Sequence, residues 1–151
     1  MWQRKQTLFL ISSIIAVVLC LFFPVGYASV GTLGSEIPLN NLGWAGVANA
    51  VPVITAWPLF IFMVLAGIVS VVTIFLFKDR KLQMRLCYWG VLFDILWYVY
   101  YLLIYFKVSG QVQMGLKWAV AMPLVSIIFL LLAHKGVKAD EKLVRSMDRI
   151  R

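Results

Sequence analysis

Four apolar runs, flanked and separated by segments that are in turn rich, poor, rich, poor and rich in basic residues, restrict this chain to one architecture. The runs are Leu8–Phe23, Ile54–Phe77, Leu86–Phe106 and Met114–Ala133, each near the ~20 apolar residues that a helix needs to cross hydrocarbon. Arg4 and Lys5 precede the first run, and Lys78, Arg80, Lys81 and Arg85 lie between the second and third. Lys135, Lys138, Lys142, Arg145, Arg149 and Arg151 follow the fourth. Of the 14 Lys and Arg residues, only Lys107 and Lys117 fall on the other side. Cytoplasmic loops retain Lys and Arg, so the pattern predicts four crossings with both termini inside.

The expected fold is therefore all-α: a polytopic four-transmembrane-helix bundle in a single domain, 1–151. Its segments are expected at about 7–27, 53–77, 86–106 and 114–134, with an outer loop 28–52, a cytoplasmic loop 78–85 and an amphipathic cytoplasmic tail 135–151. A mean hydropathy of +0.94 and a hydrophobic content of 63 % exceed the roughly 45–50 % of soluble domains, and the excess is lipid-facing surface. The net charge of +8 sits in short juxtamembrane clusters. Orientation and attraction to anionic lipid at the cytoplasmic face explain it without nucleic acid.

Cys20 near the outer end of the first segment and Cys87 at the inner start of the third differ in depth by about 20 Å, so they cannot pair within one chain. Met1–Gln6, the apolar run and Gly26-Tyr27-Ala28 also fit a signal peptide. The run is longer than a usual signal core, and the first segment is read as retained. Between Pro24 and Val53 the composition turns to Gly, Ser and Asn with one charge, Glu36. Apolar alternation at Tyr27–Leu33 and Trp44–Val47 could pair as an outer hairpin, or the loop could lie as a lid over the bundle mouth. Pro58, inside the second run, predicts a kink.

Asp94 is the one charged side chain well inside a run, about 12 Å from the inner edge. An ionised carboxylate there is costly, so the neutral acid is the expected form. Ser12, Ser13, Ser70 and Ser126 fall at similar depth, and Gly90, Asp94, Trp97 and Tyr101 follow i, i+4, i+7, i+11 spacing, which marks the inward face of the third helix. Three readings follow: a carboxyl that fixes helix register through serine hydrogen bonds, a proton or ion relay, and a contact with a partner subunit. No catalytic triad, nucleotide loop or metal-ligand cluster is legible, and His134 reads as an interfacial residue.

From Lys138 onward, Leu143, Met147 and Ile150 form an apolar stripe with Val144 beside it, and Arg145 and Arg149 lie on the charged face. This predicts an interfacial helix on anionic lipid or a docking helix for a cytoplasmic or membrane protein, set off from the fourth crossing by a break at Gly136.

The opening Met1-Trp2-Gln3-Arg4-Lys5-Gln6-Thr7-Leu8-Phe9-Leu10 and the closing Asp140-Glu141-Lys142-Leu143-Val144-Arg145-Ser146-Met147-Asp148-Arg149-Ile150-Arg151, with the basic Lys78–Arg85 loop, resemble a family of small Bacteroidota membrane proteins catalogued as domain of unknown function 4293. The resemblance implies the cytoplasmic (inner) membrane of a Gram-negative bacterium and brings no activity, cofactor or site residue. The expected function is non-enzymatic, without cofactor: an accessory or scaffold subunit that binds a partner. A proton-linked transporter or sensor using Asp94 is the alternative.

Overall fold

A computed structural model describes residues 3–30, 35–44, 56–76, 79–110 and 112–148. Its order is α1 (Gln3–Phe22), β1 (Gly26–Val30), β2 (Ser35–Asn40), β3 (Gly43–Trp44), α2 (Trp57–Phe75), α3 (Arg80–Ser109), β4 (Gln113–Leu116), a 3₁₀ turn (Trp118–Ala121) and α4 (Met122–Asp148). Each helix packs on its two chain neighbours, and α1 closes the ring against α4.

The ring follows from a three-four spacing of inward residues, the seam of near-parallel packed helices. α3 buries Gln83, Cys87, Gly90, Asp94, Trp97, Tyr101, Ile104 and Val108, so the inward face expected from Gly90 to Tyr101 is the buried one. α2 buries Leu59, Met63, Ala66, Ser70 and Thr73, and α1 buries Leu10, Ser13, Val17 and Cys20. The opposite faces carry large apolar side chains into the open: Ile11, Ile15 and Phe22 on α1, Ile61, Ile68 and Phe75 on α2, and Leu92, Ile95, Val99 and Phe106 on α3. Serines, a glutamine and an aspartate lie inside and isoleucines outside, the reverse of a water-soluble bundle. Three helical stretches, Trp57–Phe75, Arg80–Ser109 and Trp118–Val144, are long and apolar enough to cross a membrane, and Gln6–Phe22 is a shorter apolar helix.

The all-α expectation is corrected by a four-stranded antiparallel sheet of order β3-β2-β1-β4 at one end of the ring. β1 pairs Ala28 with Ile37 of β2 on one edge and with Met114 of β4 on the other. The sheet thus ties the α1–α2 connection to the α3–α4 connection. Residues 113–116 are a strand, and α4 begins at Met122, not near 114. The apolar composition of Met114 and Leu116 merged them with the following helix, although Gly115 is the residue that the strand requires. A Cβ at Gly115 would overlap the Tyr27 ring, which lies across it.

Two further expectations change. Pro58 sits in the first turn of α2, where its missing N–H costs no intrahelical bond, so it starts the helix without kinking it. Gly136 does not interrupt α4, which is continuous to Asp148. Its role is close approach: a Cβ there would stand 2.9 Å from Gln6 Cγ.

Candidate functional site

Asp94 is fully buried at the centre of the ring. Neither carboxyl oxygen makes a hydrogen bond of normal geometry. Ser126 is the polar side chain that bears on the carboxyl, but its Oγ lies 2.9 Å from Ser13 Oγ, joining α4 to α1. Of the other expected serines, Ser70 is buried and donates to the Ala66 carbonyl of its own helix at 2.9 Å, and Ser12 is half-buried. The structure thus brings Asp94, Ser13 and Ser126 together and leaves the carboxyl short of partners.

On the sheet side of Asp94, Asn41 closes the ring. This loop residue is 1 % exposed; its amide donates to the Cys20 carbonyl and its Oδ1 accepts Trp97 Nε1–H at 2.9 Å. Trp97 stacks on Tyr101 with ring centroids 5.2 Å apart and planes at 6°, and Tyr101 donates to the Val25 carbonyl at 3.3 Å. Tyr98 donates to the Val120 carbonyl at 2.6 Å and accepts the Leu124 N–H at 3.0 Å, which satisfies one of the free amides of the first turn of α4. Asn41 was not singled out from sequence, because a polar residue in a Gly- and Asn-rich loop looks solvated. Its value comes from insertion between α1 and α3.

At the opposite end a polar cavity of about 160 Å³ is lined from every helix: Gln6 and Thr7 of α1, Ile74 of α2, Arg80 and Gln83 of α3, Val137 and Asp140 of α4. Gln6 Nε2–H donates to Asp140 Oδ2 at 2.6 Å and Gln83 Nε2–H to the Thr73 carbonyl at 3.3 Å. Gln6 and Gln83 lie where basic segments border their runs, and that position was the signal for them. His134 meets Tyr88 nearby, Nε2 to the hydroxyl at 3.3 Å. Among the described residues, no three of His, Cys, Asp and Glu gather as metal ligands.

Of the expected tail residues, Leu143 and Val144 are exposed on the last turns of α4. Arg145 and Met147 are described only as helical backbone, and Arg149 and Ile150 lie outside the described residues.

The class defined here is a ring of four helices with an inside-out distribution of polarity, a β cap on one end, a polar cavity at the other and an acid between them. The chain belongs to the family described as a domain of unknown function, DUF4293, whose model matches residues 2–150. No curated protein matches it at a significant level.

Proposed function

We propose that the chain is a four-pass protein of a bacterial cytoplasmic membrane, N-in and C-in, that works without catalysis as an accessory or scaffold subunit. The observation that carries this reading is the end of α4. Its inward residues are covered as far as Val137, whereas Leu143, at 53 % exposure, and Val144 are bare between Lys138, Lys142 and Ser146. An exposed apolar pair on the last turns of a helix, at the head of the stripe expected from the sequence, is what a partner groove takes up. The exposed isoleucines support immersion in hydrocarbon, and the basic segments support the orientation.

Both native cysteines are buried, so single cysteines placed at Gln113 and Ser146 report topology cleanly. An impermeant thiol reagent added from outside should modify the first and spare the second; the reverse pattern refutes the orientation. A photo-crosslinking residue at Leu143 should yield a discrete protein adduct in native membranes. Adducts to lipid alone would replace partner docking by adsorption of the tail on anionic lipid.

The unpartnered carboxyl of Asp94 favours a second reading, a proton-linked transporter or sensor. Proton-coupled uptake in proteoliposomes, lost in Asp94→Asn, would establish it. Full activity of that variant would remove it.

A further inference from the structure

The polar cavity at the far end from the sheet holds two opposite charges that do not meet. Arg80 and Asp140 both line it, yet among the described residues they form no ion pair with each other, whereas Lys117 pairs with Glu36 on the sheet. Among the described residues no side-chain hydrogen bond or ion pair holds the Arg80 guanidinium, and its forked donors match a phosphate oxyanion. Asp140 is fixed differently. One oxygen accepts Gln6 Nε2–H, which holds the carboxylate in place while acceptor capacity remains on the group.

We propose that this cavity binds a phosphodiester carrying a primary ammonium, the headgroup chemistry of an ethanolamine phospholipid, with phosphate on Arg80 and ammonium on Asp140. A net anion would be repelled by Asp140 and a net cation by Arg80; a ligand of zero net charge with separated ends offends neither. A quaternary ammonium has no N–H for the carboxylate, so choline is a poorer fit than ethanolamine. The lipid source rests on the membrane reading above and on the neighbours of the lining residues: Leu8 follows Thr7, Phe75 follows Ile74, and both are exposed apolar side chains placed to meet acyl chains.

The test uses the full-length protein in nanodiscs of equimolar phosphatidylethanolamine and phosphatidylglycerol, with retained lipid read by native mass spectrometry. Phosphatidylethanolamine should be enriched about tenfold over bulk, the ratio one charge-assisted contact supplies. Arg80→Gln should lower retention of both lipids. Asp140→Asn should abolish the preference by admitting phosphatidylglycerol, an exchange of selectivity that general loss of structure does not produce. Arg85→Gln, in the same basic segment, should change nothing. A bulk-like ratio in the wild type, or a ratio untouched by both cavity variants, overturns the proposal. Soluble glycerophosphoethanolamine at millimolar concentration separates the sources: displacement of bound lipid sustains the headgroup chemistry and refutes the lipid as its exclusive source. If the protein fails to enter nanodiscs, the membrane reading falls, and binding of the soluble headgroup in detergent alone decides the cavity.

Discussion

The two ends of the helix ring solve the same problem in opposite ways. At the sheet end, the polar groups brought inside are matched within the chain: Asn41 to Cys20 and Trp97, Tyr98 to Val120 and Leu124, Tyr101 to Val25. Trp44 Nε1 is the exception among the described residues of the cap. At the other end, Gln6 and Gln83 are held, and Asp140 is held by Gln6, but Arg80 and Asp140 line a cavity without forming an ion pair with each other. The difference teaches that one end is built to close and the other to receive. Asp94, between them, belongs to neither set.

The largest expected effect is at the closed end. Asn41→Leu strands the Trp97 N–H and the Cys20 carbonyl in a dry interior, and each stranded group costs roughly 1–3 kcal/mol. Unfolding in mixed micelles should show a loss of about 3 kcal/mol. Trp97→Phe in the same background should then cost little more than its lost packing, because its partner is already gone. A loss under about 1 kcal/mol for Asn41→Leu would mean that the cap is not what closes this end.

That seal is also where sequence reasoning ran out. Runs of apolar residues determine helices through local periodicity, so the four helices, the inward face of α3 and the shared depth of Ser13, Ser126 and Asp94 were legible from spacing, whereas the bond of Ser13 to Ser126 was not. The sheet depends on β1 meeting β4, far along the chain, and no local period records such a pairing. Hydropathy placed Met114–Leu116 with the next helix because strand and helix are alike over so short an apolar stretch. Gly136 misled for a related reason. Its lack of a side chain suggested freedom, whereas the space it leaves is occupied by Gln6.

Asp94 sharpens the contrast by the sign of its effect. A buried carboxyl without hydrogen bonds of normal geometry is a cost to folding, so Asp94→Leu, which keeps the forked shape with more bulk, should stabilise by about 1–2 kcal/mol in the assay used for Asn41 where the ring absorbs the added volume. Asp94→Asn should stay near neutral, since an amide replaces a neutral acid with a group of similar size and polarity. Destabilisation by the leucine beyond about 1 kcal/mol would show that the carboxyl has a partner and belongs with the closed end. Stabilisation joined to lost transport would identify a group kept for function against stability.

The smallest effect tests how the receiving end is held. Gly136→Ala adds a helix former where glycine sits in a continuous helix, worth about 1 kcal/mol in favour of folding. The new Cβ would stand 2.9 Å from Gln6 Cγ, so Gln6 must withdraw and its 2.6 Å bond to Asp140 is lost. A hydrogen bond to a charged group contributes roughly 1.5–3 kcal/mol, less where solvent enters a cavity, so the two changes nearly cancel and a net loss below about 1 kcal/mol is expected. The sign should reverse in a Gln6→Ala background, where nothing remains to displace and the propensity gain stands alone. If Gly136→Ala behaves identically in both backgrounds, Gln6 does not rely on the glycine gap, and the placement of Asp140 in the cavity has another cause.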